Sequence, residues 1–249
     1  MKELTNQQAM RYSRQIMLSG FDLDKQELLL ARSAVIVGVG GLGCAAAQYL
    51  VAAGVGNITL VDDDKVELTN LQRQILHREH SIGQSKVASA LASLQRMNSD
   101  ICITGIEGRL DKSNMSTLLA KTDIVLDCSD NLSTRLLINQ YCYAHKIALV
   151  AGAAIRMEGH IFAVLPSQKS ACYQCFADFV SEQNLSCVDA GVLSPVVGTI
   201  GSMQATEAIK ILCHYGKLLS NKLNLYDADT STWSSFNVEK RKGCEVCGN

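Results

Sequence analysis

Two Cys-x-x-Cys pairs, Cys172/Cys175 and Cys244/Cys247, stand far apart in the chain and restrict its fold more than any other feature. Each pair sets two thiolates at the spacing a tight knuckle offers to a tetrahedral Zn²⁺. Two pairs complete a closed four-thiolate shell, which is structural rather than catalytic. Two unrelated surface pairs, or a redox pair, are the competing readings of the same spacing. The second pair lies in Gly243-Cys244-Glu245-Val246-Cys247-Gly248, where there is little else to fold around. If zinc closes that shell, the chemistry must come from elsewhere in the chain.

A net charge of −1 and a hydrophobic content of 47% describe an ordinary globular protein. They give no electrostatic footprint for nucleic acid. The polar start, residues 1–8, carries no signal-peptide core. The longest apolar run, near 190–200, is interrupted by Gly, Ser and Pro and is too short to span a bilayer. The expectation is a soluble cytoplasmic protein with reduced thiols and no membrane partner.

Periodicity predicts helices over 5–17, 24–31, 42–53, 85–97, 116–120 and 134–145, alternating with apolar strands at 34–37, 58–61, 101–106, 124–127 and 147–150. Short strands that are apolar throughout, separated by helices, indicate a buried parallel sheet. After Gly152 the pattern changes. Strands are expected at 161–165, 223–226 and 232–238, with a helix at 202–214. The fold class is α/β: a Rossmann-like, doubly wound, mostly parallel sheet with helices on both faces. N-terminal helices precede it, and a zinc-bearing part with antiparallel strands comes after it. One domain, 1–249, divides into a nucleotide-binding half (1–150) and a zinc half (151–249).

Gly38, Gly40 and Gly43 form GxGxxG between a strand and a helix start. Such a loop turns tightly, lets a phosphate approach the backbone and aims a helix N-terminus at it. Asp62 ends the next strand, where an acid can hold ribose hydroxyls. NAD is the default ligand of this pattern, yet no second catalytic domain has room to exist. No His/Arg pair is placed to polarise a carbonyl, and no GK[ST] P-loop is present. The polar residues instead suit a triphosphate. Asn70-Leu71-Gln72-Arg73-Gln74 comes after the acidic strand end, and Lys86 starts a helix. Asp127-Cys128-Ser129-Asp130-Asn131 lies at a strand's C-terminal end, where an Asp near phosphates is a natural Mg²⁺ ligand. The plain alternatives are surface roles for Arg73 and Lys86 and a helix-capping role for Asp130.

Arg11-Tyr12-Ser13-Arg14-Gln15, the glycine loop, Asn70–Gln74 and Asp127–Asn131 join the paired cysteines in a chain that resembles, over essentially its whole length, the MoeB/ThiF family. These are adenylyltransferases related to the ubiquitin-activating enzymes. Ala153-Ala154-Ile155-Arg156-Met157-Glu158-Gly159 and Cys247-Gly248-Asn249 look most like the molybdopterin branch, with the thiamine branch close behind. The resemblance implies a homodimer that uses Mg-ATP to adenylate the C-terminal glycine of a small ubiquitin-like sulfur carrier ending in Gly-Gly. It implies that Gly41 and Asp62 hold the adenosine part and that Asn70, Arg73 and Lys86 contact phosphates, with Gln74 and Asn131 lining the same site. Asp130 would hold Mg²⁺, and Arg14 would reach into the partner's site. Cys172, Cys175, Cys244 and Cys247 would bind zinc. With no rhodanese extension, the sulfur donor would be a separate protein.

The chemistry suits these residues. A terminal carboxylate, with a pKa near ~3.5, is already ionised at neutral pH, so attack on the α-phosphate needs no general base. Positioning and charge neutralisation remain, as in other phosphoryl transfers. An NAD-dependent oxidoreductase and a nucleotide-binding scaffold without turnover are the other function classes. Relatives use a cysteine near Cys187 for a covalent bond to the carrier, and a spare thiol is the favoured reading here. Cys44, Cys102, Cys128, Cys142 and Cys213 read as buried small hydrophobes. The five histidines show no ligand spacing, and Trp233 reads as packing. Carrier docking is expected around 161–165 and the cysteine knuckle.

Overall fold

The computed structural model describes residues 3–177 and 190–248. Thr5 opens the first helix with a capping box: its hydroxyl accepts from the Gln8 amide, and the Gln8 side chain returns to the Thr5 amide. The helix expected over 5–17 is two pieces, α1 (Asn6–Arg11) and α2 (Ser13–Ile16). The break falls at Tyr12, which is 3% exposed and packed against Gly54. Its hydroxyl accepts from Asn98 Nδ2 at 2.9 Å. Seating one aromatic ring outweighs continuing the helix, because a buried ring removes far more apolar area from water than one extra turn gains.

Next come α3 (Asp22–Leu30), β1 (Ser33–Val37), α4 (Gly41–Ala53), β2 (Asn57–Asp62) and α5 (Lys86–Met97). After them stand β3 (Cys102–Glu107), α6 (Met115–Leu118), β4 (Ile124–Asp127) and α7 (Leu132–Ala144). Gly54 closes α4 at φ 91°, the left-handed conformation a C-terminal glycine supplies. β5 (Ala148–Ile155) outruns the expected strand and turns through Arg156 and Met157 into β6 (Glu158–Val164). α8 (Tyr173–Ala177), α9 (Ser194–Cys213), β7 (Lys222–Asp227) and β8 (Thr232–Asn237) complete the described chain. α9 starts eight residues before the expected 202: Pro195 sits in its first turn. Its Gly201 lies against α4, where a Cβ would fall 2.3 Å from the Leu42 carbonyl oxygen. What reads as an interrupted apolar run is a helix made thin enough to pack closely.

All eight strands form one sheet in the order β3-β2-β1-β4-β5-β6-β7-β8. β3 to β5 are parallel, and β5 to β8 are antiparallel. One apolar layer packs Ile36, Leu60, Leu126 and Val150 beneath α3, α4, α5 and α9. The opposite layer packs Val35, Val125, Leu149 and Phe162 beneath α6, α7 and α8. Covering both faces is why these strands are apolar throughout. The order in which strands are added reverses between β1 and β4, so a crevice opens beyond their C-terminal ends. Cys102 departs from expectation: it is exposed on the edge strand β3, while Cys44, Cys128, Cys142 and Cys213 are buried. Among the described residues no helix is long and apolar enough to cross a membrane.

Candidate nucleotide site and cysteine cluster

The crevice beyond β1 and β4 is the mouth of a cavity of about 830 Å³. Gly38, at φ 91°, turns the chain off β1; a Cβ there would meet the Cys128 carbonyl oxygen at 2.7 Å. At Gly43 a Cβ would lie 1.9 Å from the Gly38 carbonyl oxygen, so α4 can start this close only without a side chain. Gly38, Gly40 and Gly41 line the cavity; Gly43 stands behind them.

The peptide of Val39 is held from both sides. Its N–H donates to Asp62 Oδ2 at 2.6 Å. Its carbonyl accepts from His77 Nε2 at 3.1 Å and from the Cys44 thiol at 3.4 Å. Because a carbonyl only accepts, His77 carries its proton on Nε2, leaving Nδ1 to accept from Ser89 Oγ at 3.0 Å. Burial, with help from Lys86 and Arg78, lowers the His77 pKa, so this imidazole is neutral. Burial also raises the Asp62 pKa, opposed by the amides of Val39 and Asp64.

Asp62, Arg73, Gln74, Lys86, Asp130 and Asn131 all line the cavity. Lys86 is buried and paired with Asp64 at 2.7 Å. Arg73 donates to the Thr69 carbonyl at 3.1 Å. The helix-capping role falls to Asn131, whose Oδ1 accepts from the Thr134 amide at 2.9 Å. That leaves Asp130 exposed, with one 3.4 Å contact from Asn131 and no ion-pair partner among the described residues. Asn70 does not line the cavity. It is buried and caps a 3-10 turn, its Oδ1 accepting from the Glu67 amide at 3.1 Å. Arg14, on α2, is exposed and lies outside its own chain's cavity.

The four cysteines of the two pairs come together. Cys172 Sγ lies 4.0 Å from Cys175 and 3.7 Å from Cys244, and Cys175 lies 3.4 Å from Cys247. All four are buried, with every Sγ within 4.8 Å of the others. A tetrahedral ZnS₄ site with bonds of about 2.3 Å has edges of roughly 3.8 Å, so the thiols fit that ion.

A likeness carries these observations further. The ThiF family profile matches residues 12–246. The chain is 50% identical over 248 residues, covering 100% of both chains, to the molybdopterin-synthase adenylyltransferase of Escherichia coli (strain K12). It is 41% identical to that organism's sulfur carrier protein ThiS adenylyltransferase, covering 96% of this chain and 95% of that one. A crystal structure of E. coli MccB with AMPCPP and MccA superposes with a TM-score of 0.84 at 25% identity, covering 96% of this chain and 74% of that chain.

The chain belongs to the ThiF family. Within that frame one expectation needs correction. Ile161, Phe162, Ala163, Val164 and Leu165 are all buried, so a partner cannot dock on them. The open apolar positions lie further along the sheet, at Leu225 on β7 and Phe236 on β8, 36% and 52% exposed and both in the cavity wall. Trp233 is 44% exposed and stacks on Tyr226 at 4.8 Å, so it packs on one face only. Cys187 lies outside the described residues.

Several residues of this ThiF-family site carry no sequence signal. His77, Ser89 and Arg135 owe their roles to contacts between distant elements. His160 is another: it lines the cavity edge-on to Phe176, its Nε2 buried with no hydrogen-bond partner among the described residues. Burial, and then the charge of Arg135, lowers its pKa to about 3.

Proposed function

We propose that this ThiF-family chain adenylates the C-terminal glycine carboxylate of a small ubiquitin-like sulfur carrier, the small subunit of molybdopterin synthase. Mg-ATP is the donor and pyrophosphate leaves. The observation that carries the reading is the end-to-end 50% identity to a molybdopterin-synthase adenylyltransferase. The cavity supports it: backbone amides at a helix start, two cations and an acid converge where a triphosphate would lie.

In this reading Gly38, Gly40, Gly41 and Asp62 hold the nucleoside and phosphates. Arg73 and Lys86 neutralise charge at the phosphates, Lys86 with Asp64 fixing its ammonium. Asp130, with no ion-pair partner among the described residues, suits Mg²⁺, which takes one or two carboxylates along with phosphate oxygens. When bound, that ion supplies charge neutralisation on the leaving pyrophosphate. The carrier carboxylate enters ionised and attacks in line, so the neutral His77 and His160 need move no proton. Arg14 serves the partner subunit's site in a homodimer. The exposure of Met10 (77%) and Met17 (74%) beside it supports a buried contact there. Leu225 and Phe236 receive the carrier's globular part. The four cysteines hold a structural zinc, and the free thiols elsewhere fit a reducing, cytoplasmic setting.

The second reading, adenylation of the thiamine-pathway carrier, is favoured by the 41% identity to the ThiS adenylyltransferase. Carrier-dependent ATP–pyrophosphate exchange with both carriers separates the two. Exchange with the molybdopterin-synthase subunit alone is expected; exchange with the thiamine carrier alone transfers the assignment to that branch.

A further inference from the structure

We propose that Arg135 is a positioning residue for the Ser129–Asp130 turn, and that Tyr173 and Asn139 tie it to the cysteine knuckle, so that the knuckle governs the geometry of the cavity's free acid. This rests on the reading of Asp130 given above.

Arg135 is a buried cation. Its Nη1 donates to the Gly152 carbonyl at 2.9 Å, and its Nη2 donates to the Ser129 carbonyl. The buried Asp127 lies 3.8 Å away. Asp127 Oδ1 accepts from the Ser129 amide at 3.0 Å and from the Ser129 hydroxyl at 2.6 Å. Ser129 is therefore held at its amide, its hydroxyl and its carbonyl. The next peptide plane carries Asp130, whose own side chain has almost nothing to hold it. The arginine and its ion-pair partner thus fix the direction from which Asp130 leaves the chain.

The helix that carries the arginine is bonded to the knuckle. Asn139 lies one turn after Arg135 on α7, and its Oδ1 accepts from the Tyr173 amide at 2.8 Å. Tyr173 stands between Cys172 and Cys175; it is 4% exposed, and its phenol and the Arg135 guanidinium interact electrostatically. The knuckle residue between two metal-type thiols thus contacts the group that sets the acid.

The test is Mn²⁺ binding, read by electron paramagnetic resonance with a non-hydrolysable ATP analogue, in the full-length Tyr173→Phe, Arg135→Lys and Asp130→Asn proteins. Asp130→Asn is expected to abolish tight Mn²⁺ binding; if it binds normally, the Asp130 reading itself fails. Given that loss, Tyr173→Phe is expected to weaken Mn²⁺ about 5-fold, on the scale of one lost polar interaction, with zinc content unchanged. Arg135→Lys, which leaves the knuckle intact, is expected to weaken it at least as much. Unchanged Mn²⁺ affinity in either variant overturns the proposal, even if its melting temperature falls. If Tyr173→Phe also loses zinc, Arg135→Lys alone decides.

Discussion

The two halves of this sheet organise a site by opposite means. In the parallel half, β1, β2 and β4 end at one crevice, and the site is made from residues at the strand ends and on the connections that follow them. In the antiparallel half the strands run past one another, and the cysteine cluster joins residues 72 positions apart. The first half places groups by local chain direction and the second by closing a long loop. Changes in the first should therefore remove chemistry while sparing the fold, and changes in the second should cost stability.

Asp130→Asn gives the largest expected effect. Carrier-dependent pyrophosphate exchange should fall about 10³-fold, a loss of about 4 kcal/mol in transition-state stabilisation, with the circular dichroism spectrum unchanged. Loss of the fold would break the comparison. Cys244→Ser should lower unfolding free energy by roughly 3–5 kcal/mol through loss of a structural metal. Denaturant titration measures this, and zinc analysis should show the ion missing; a fully stable Cys244→Ser protein would argue against metal in the cluster. Leu225→Asp on the open sheet face should raise the carrier KM about 10-fold, the cost of a charge in an apolar contact, without moving the KM for ATP. His77→Ala should raise the KM for ATP about 5-fold by freeing the Val39 carbonyl, and His77→Gln should recover most of it, because its amide can still donate. Equal effects in both variants would mean that ring volume, not the hydrogen bond, matters.

The same contrast explains what could be read in the chain. The glycine loop is legible because its spacing is a local pattern between strand and helix, with Gly43 closed against the Gly38 carbonyl inside the same turn. The cysteines are legible because two equal spacings suggest one shell. The β5–β6 turn is not, since Arg156 adopts φ 54° with no glycine or asparagine to announce it. Bonds from its backbone to Gly191 and Leu193 hold it there. The first two turns of α9 hide because their small residues serve packing against α4. Arg135, His77 and Gln204 escape notice for one reason: their partners come from other elements. Gln204 Nε2 donates to the carbonyls of Asp127 and Val150, and no spacing encodes that.

The cysteine cluster also has a meaning in time. A ribosome adding about 5–20 residues per second needs roughly 4–14 s to cover the 72 positions between Cys172 and Cys244. During that interval every strand of the parallel half already exists, while the first knuckle waits as a bare thiol pair. A newborn chain thus carries the parallel strand ends of the nucleotide crevice beside an unfinished clasp. Metal scarcity, thiol oxidation or a stalled ribosome would act on it in that window rather than on the mature protein.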